Sequence, residues 1–526
     1  MKTLIKNSYL LYFALIVLLV IACMKVEDPL DNDFKLRVDY NIIKTTVSMR
    51  FVDAKTGHVI GKNGNIDIKV DILGEHKDLV TDYMGEKRSS FDTNVGLLSF
   101  SVNTSSPSEN NPVRFAVKVK ADGYVVTSKS IYIYEEGDIE TEIQLVNYND
   151  LPSGITKAEK TIITDGSGSL ISDMSLSTVN STSTLSILSG TVLKDKNGNP
   201  LVGNLNVIMM HFDNQSEEAI AAFPGGIDAS VTNESGAQED VSFVSAGFVS
   251  VDIEDASGNR AVAIDGSLTQ QIVIPADTYN PKTGAAVKAG DVIPIWSFDP
   301  NTAKWKYEKE GTVVSSGGVL KVSTKLEHLS YWNWDWKGNK CKKGMKMKFV
   351  STDIREGTTF TLRAKLYSAT TGGYLKTKYL WGRVNENIQL YNAPADMPIR
   401  IVFEGFDWAV PDPAEFVFNN MCSNEVKEIT LRQNPDRKTL KISVKAILGD
   451  EGEGEILPSV CAYVWEKETN NYKFIRMIEG KAVIPGILLN SEYRVYTWLD
   501  KMYYQDFTPT QEEYSVEIVV SDDLID

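Results

Sequence analysis

The sequence predicts an all-β protein made of tandem β-sandwich domains. Three observations carry that prediction. Short runs with strict period-two alternation of apolar and polar residues recur from end to end, turn signals separate them at short intervals, and windows with helical periodicity are few. Alternation sends one set of side chains into a core and the other into water, as in one half of a sandwich. At 526 residues the chain is long enough for roughly three or four such units.

The chain begins differently. Lys2 and Lys6 precede an unbroken apolar run from Tyr9 to Ala22. That run is shorter than the roughly 18 to 20 residues of a spanning helix. It suits the apolar core of an export signal, assigned to residues 1–22. It ends Val20-Ile21-Ala22-Cys23, which resembles the bacterial lipobox. The resemblance implies that Cys23 is the mature N-terminus and carries covalent lipid; no other cofactor is expected. Each buried methylene contributes about 0.8 kcal/mol, so several acyl chains on one cysteine hold a protein at a membrane without a spanning helix. The alternatives are an ordinary export signal with an incidental cysteine, or an uncleaved anchor. Residues 23–42 form an acidic spacer. Glu27, Asp28, Asp31 and Asp33 stand close behind Cys23. They resemble the surface-export signal of Bacteroidota lipoproteins, which implies outer-membrane display facing the cell exterior; a plain solvated spacer is the alternative.

The first sandwich is expected over 43–148. Val47, Met49 and Phe51 alternate with polar residues, as do Ile66, Ile68, Val70 and Ile72, and then Val113, Phe115, Val117 and Val119. Asp53-Ala54-Lys55-Thr56-Gly57 and Lys62-Asn63-Gly64-Asn65 read as hairpin turns. Ala121-Asp122-Gly123-Tyr124, followed by Ser130-Ile131-Tyr132-Ile133, resembles the end of carboxypeptidase-regulatory-like, or transthyretin-like, sandwiches. That implies a support or binding module and not peptidase activity. The stretch 149–183 carries Pro152 and Gly154 and is then rich in Ser, Thr and Gly. It reads either as a flexible linker or as polar edge strands.

A β-rich central module is expected over 184–337, with one helical window at Glu217–Phe223 ended by Pro224-Gly225-Gly226. Ala222-Phe223-Pro224-Gly225-Gly226, Ile293-Pro294-Ile295-Trp296 and His328-Leu329-Ser330-Tyr331-Trp332 resemble, in their order, a module of bacterial surface lipoproteins. The module is also seen in cartilage intermediate layer protein. That resemblance implies an extracellular module and brings no chemistry with it. Further sandwiches are expected over 338–433, from Met345, Met347 and Phe349 onward, and over 434–526, from Leu440, Ile442 and Val444 onward. The sandwiches are of Ig-like or transthyretin-like type. Units two to four share size and texture without an exact repeat.

Composition excludes some chemistry. A net charge of −16 argues against nucleic-acid binding, which needs basic surface to neutralise phosphates. None of the four cysteines forms C-x-x-C. Cys341 and Cys422 bracket the third unit and are assigned a disulfide, whereas Cys461 lies in an apolar run and reads as a buried thiol. Three reduced, buried cysteines is the competing account. His58, His76, His211 and His328 form neither H-x-H nor H-E-x-x-H, so no metal site is expected. His211 reads as the end of a core face. Asp252-Ile253-Glu254-Asp255 is acidic enough for calcium, and Asp195-Lys196-Asn197-Gly198-Asn199 reads as a hairpin.

Two stretches carry sharper ideas. His328-Leu329-Ser330 resembles the His-Leu-Ser/Thr site of receptor autoproteolysis-inducing domains. The resemblance implies Ser330 as nucleophile, His328 as base and Leu329–Ser330 as the scissile bond. The Cys/Trp framework that precedes that site in the receptor family is missing here. Trp332, Trp334 and Trp336 share one strand face by their spacing, with Asn333 and Asp335 on the other. Exposed, the three indoles would make a sugar-stacking platform. The same parity runs back through Leu326, Thr324, Val322 and Leu320, which makes them core unless a break near 328–330 reverses it. The expectation from sequence is a surface-anchored, non-enzymatic binding or adhesion protein with the first domain as a stalk. Its partners would be the membrane, through the lipid, and an extracellular glycan or protein. The alternatives are a glycan-binding component of a polysaccharide-uptake system, an autoproteolytic module and a fimbria-like subunit.

Overall fold

The computed structural model describes residues 35–36 and 44–520, apart from 62–65, 84, 104–105, 301, 357, 396, 405–408, 449–453, 457–458 and 499–501. The apolar N-terminal run and Cys23 lie outside the described residues. Nearly every element is a strand, and the strands form sandwiches, as the alternation predicts.

Three of the four units share one topology. In the first, strand Thr46–Asp53 lies between Leu97–Val102, antiparallel, and the unit's last strand Asp138–Leu145, parallel. The facing sheet runs Ser90–Thr93, Ile68–Leu73, Val113–Ala121, Thr127–Ile133. The third unit repeats this plan. Lys340–Val350 lies between Asn387–Pro394 and the parallel last strand Val426–Gln433, under a sheet of Tyr374–Arg383, Thr359–Ser368, Ile399–Glu404 and Glu415–Phe418. The fourth does so again. Lys438–Leu448 lies between Lys481–Ile487 and the parallel last strand Glu513–Val520, under Asn471–Met477, Val460–Glu466, Tyr493–Trp498 and Met502–Phe507. Pairing the first strand with the last fastens both ends of each unit into one sheet. The repeated plan therefore includes the first unit and leaves out the second, which the texture of the sequence does not reveal.

The second unit is larger. A five-stranded sheet faces a seven-stranded one across a core that includes Leu185, Val207, Val249, Ile293 and Val322. The long strand Gln238–Asp255 pairs with Asp228–Thr232 and also with Tyr331–Gly338. Through Lys304–Thr312 and Val292–Asp299 these strands close on themselves. The enclosed face has its own core, with Phe243, Phe248, Trp296, Phe298 and Trp305. Ser216 caps the short helix Glu217–Ala221 by accepting from Ala219 N–H, where the sequence places a helical window. The stretch 149–183 contains strands Ile155–Thr164 and Met174–Ser177, at the edges of the two sheets. Of its two readings, edge strands is the correct one, and the unit begins near Ile155. Thr161, Ser175 and Ser177 are exposed while Ile162, Met174 and Leu176 reach the core, and Thr164 and Thr178 are buried.

The first unit is not a stalk. Its sheet packs against the fourth unit through Val52, Tyr83 and Leu97 on one side and Cys461, Tyr463, Trp465 and Tyr472 on the other. Arg476 adds an ion pair to Asp138 at 3.5 Å. The second unit reaches it through Tyr331, whose hydroxyl donates to Val126 O at 2.6 Å. The third reaches it through Arg363, 3.0 Å from Glu142. Thr46, Ser48 and Arg50, a polar strand face by sequence, are buried because a neighbouring unit covers them.

Candidate functional site

A cleft of about 600 Å³ opens where the first, second and third units meet. Junctions between domains are where ligand clefts concentrate. The first unit contributes strands Thr127–Ile133 and Asp138–Leu145, the second the helix Glu217–Ala221 and the loop to Asp228, and the third Tyr374–Arg383 and Asn387–Pro394.

Strand periodicity places the charged walls. Glu140 and Glu142, two apart on one strand, share a face, and Arg50 stands opposite Glu142 on the parallel neighbour. Arg50 approaches Glu140 at 3.4 Å and Glu142 at 3.9 Å, and Arg363 joins Glu142 from the third unit. Thr361 adds a hydroxyl donated to Glu140 at 2.8 Å. Lys376 and Lys378, also two apart, converge on Asp228 of the second unit; Lys376 is in direct contact and Lys378 lies at 3.5 Å. Lys376 also donates to Asn392 O at 2.8 Å and Lys378 to Tyr391 O at 2.6 Å. Lys129 donates to Glu142 O at 2.7 Å. Beside these lies an aromatic ladder, with Tyr132 stacked on Tyr134 at 6.3 Å and Tyr134 on Tyr391 at 4.6 Å. The Tyr134 hydroxyl donates to Asn392 Oδ1 at 2.8 Å.

Burial sets the ionisation of this cluster. It would raise the Asp228 carboxyl, but Lys376, Lys378 and Lys340 outweigh it and hold Asp228 well below the usual carboxylate range. Lys376 has Asp228 as its carboxylate, and Lys129 is attracted first by Glu142. Burial outweighs both and pulls Lys376 down to about 7, and Lys129 down to about 8. Sequence reasoning missed these residues. The charges at spacing two in Asp138–Leu145 and in Tyr374–Arg383 are visible, yet such a face ordinarily meets water.

The residues singled out from sequence lie elsewhere. Trp332, Trp334 and Trp336 are fully buried, so they form no ligand platform. The chain does break between Val319–Lys325 and Tyr331–Gly338, but there it crosses from one sheet to the other. Residues of one parity point at the shared core from both sides, and the indoles pack with Val322 and Leu326. Asn333 and Asp335, expected in water, are fully buried too, on the enclosed face of the ring of strands. Trp296 and Trp305 are core, Trp381 is half-buried in the cleft wall, and Trp408 lies outside the described residues.

His328 and Ser330 do not form a nucleophile–base pair. The Ser330 hydroxyl donates to Phe298 O at 2.5 Å, while His328 Nε2 meets Glu308 Oε1 at 3.4 Å and the His328 ring lies tilted against Trp332. Cys341 and Cys422 are joined by a disulfide, and Cys461 is a buried thiol raised to about 11 by burial. His211 is buried, and burial pulls it down to about 4. Asp252 and Glu254 face Arg260 at 3.5 and 3.6 Å. Asp195 closes its hairpin by accepting from the N–H groups of Asn197 and Asn199, each at 2.8 Å.

No family model matches the chain. Among solved structures it is similar to the shaft pilin SpaA from Lactobacillus rhamnosus GG, with 9% identity over 35% of this chain and 98% of that one, at a TM-score of 0.19. It is also similar to BcpA, the major pilin subunit of Bacillus cereus, with 9% identity over 90% of this chain and 99% of that one, at a TM-score of 0.15. The pilus protein RrgB from Streptococcus pneumoniae matches with 9% identity over 91% and 99%, at a TM-score of 0.13. These neighbours are pilin-like, β-rich proteins. TM-scores this low leave the fold to rest on the strand pairings themselves.

Proposed function

We propose that this chain is a non-enzymatic binding or adhesion protein of the cell surface, lipid-anchored through Cys23 in the outer membrane, and that it takes its ligand in the three-unit cleft. The observation that carries the reading is the cleft itself. It is a concave site of about 600 Å³ that needs all three units, with stacked tyrosines beside converging charged side chains. The lipobox-like Val20-Ile21-Ala22-Cys23 supports the anchor. Strand Lys35–Leu36 pairs in parallel with Gly454–Ile456 of the fourth unit. Eleven residues separate Cys23 from Lys35, a tether of at most about 40 Å. On this reading the fourth unit stands nearest the membrane and the cleft lies beyond it.

One experiment addresses both halves. Wild type, Cys23→Ala and Tyr391→Ala are expressed in a bacterium that processes lipoproteins. Each is fractionated, and the purified protein is applied to a panel of oligosaccharides and extracellular-matrix proteins. The expected result is that Cys23→Ala leaves the membrane fraction, and that Tyr391→Ala stays there but loses retention on the panel by about tenfold. Membrane-bound Cys23→Ala would overturn the anchor. Retention unaffected by Tyr391→Ala would overturn the cleft.

A further inference from the structure

We infer that the cleft is an anion site, accepting a carboxylate or sulfate group on the lysines gathered around Asp228. The inference rests on the cleft being the place where ligand binds.

The argument is a charge balance in a buried place. Arg50 and Arg363 are answered by Glu140 and Glu142. Arg114 is answered by Asp240 at 3.3 Å. With those pairs set aside, Lys129, Lys340, Lys376 and Lys378 remain around Asp228. Beyond Asp228, Lys129 feels Glu142 and Lys340 feels Asp240, carboxylates already shared with Arg50, Arg363 and Arg114. The hydrogen-bond acceptors of the lysines are otherwise neutral: the carbonyls of Glu142, Tyr391 and Asn392, and the Ser242 hydroxyl. A carbonyl satisfies an ammonium hydrogen bond but does not cancel its charge.

Lys340 makes the deficit sharpest. Its Nζ is buried without a hydrogen-bond partner, 5.2 Å over the Tyr132 ring. The Tyr132 hydroxyl is likewise buried without a partner. An ammonium and a phenol, both free to donate, thus stand beside an excess of positive charge. The chain has a net charge of −16, and the cleft lining also carries Glu135, Glu136, Asp138, Glu217 and Glu218, so the positive sign is confined to the surroundings of Asp228. A planar carboxylate or a sulfate supplies both the acceptor atoms and the missing negative charge.

The test is calorimetric titration of sodium sulfate and sodium glucuronate into the full chain, solubilised in neutral detergent, with ionic strength held constant by sodium chloride. Saturable binding of at least one is expected, with Lys340→Met weakening it about tenfold while the far-ultraviolet dichroism stays unchanged. If Lys340→Met does not fold, Lys378→Gln takes its place with the same expectation. Absence of saturation with both anions, or an affinity indifferent to the lysine variant, overturns the inference. A neutral oligosaccharide that is lost with Tyr391→Ala but indifferent to Lys340→Met would also overturn it, and would leave the cleft standing as the binding site.

Discussion

Asp335 shows what a single residue costs when a strand face that reads as polar is enclosed. It stands on Tyr331–Gly338 between tryptophans that fill the core, on the face closed off by the ring of strands. Ala246 N–H donates to its Oδ1 at 3.2 Å. Burial pushes its carboxyl up to about 7, against the opposing pull of Asn333, Ser245 and Ala246. The folded state therefore holds a proton that the unfolded chain, near 3.8, has released. The stabilising contribution is fully present below the unfolded value and is lost as pH rises through about 7. The whole shift corresponds to about 4 kcal/mol. Asp335→Asn keeps the shape and removes the titration. Urea unfolding of both proteins at steps from pH 4 to 7.5 should show wild type losing stability as pH rises, with the variant much flatter. Parallel curves would mean that another group titrates.

At the scale of elements, the three-fold repeat of one strand plan makes the disulfide informative. Units one and four reach the same topology with no disulfide among their described residues. The Cys341–Cys422 bond therefore stabilises the third unit without being needed to build it. It spans a sequence separation of 81, and the chain-entropy model gives about 4.5 kcal/mol for a loop of that size. Cys422 is exposed, so a reductant can reach it. Dithiothreitol, or Cys341→Ser with Cys422→Ser, should lower the unfolding midpoint of the third unit while the dichroism remains β-type. A midpoint unmoved by reduction would count against this account. The strands themselves were legible because alternation is local: Val113, Phe115, Val117 and Val119 are buried as read. What was not legible is which polar faces a neighbour covers. Arg50, Glu140 and Glu142 have the periodicity of a solvated face, and only the arrival of the third and fourth units makes them interior. The tryptophan row failed as a site for the same reason in reverse. Its parity was readable, but the crossing between sheets that keeps it inside is a tertiary event.

For the whole molecule, the consequence is that the first unit depends on the last. Val52, Tyr83, Val95 and Leu97 of the first unit are buried against Cys461, Tyr463, Trp465 and Tyr472 of the fourth. Asp138 has Arg476 as its ion partner at 3.5 Å. Contact between sequence-distant units makes stability non-local, so deleting the end of the chain should be felt at its beginning. A chain stopped after residue 433 leaves that apolar face bare, together with a carboxylate deprived of its arginine. Exposed apolar faces of this kind drive association. The truncated protein should self-associate at micromolar concentration in sedimentation. Hydrogen exchange should show lost protection in Thr46–Asp53 and Leu97–Val102, with the second unit's strands Val292–Asp299 and Tyr331–Gly338 still protected. The selectivity of that loss is what distinguishes an interface effect from general unfolding. A monodisperse truncation with first-unit protection intact would show instead that the two units are independent sandwiches that only happen to touch.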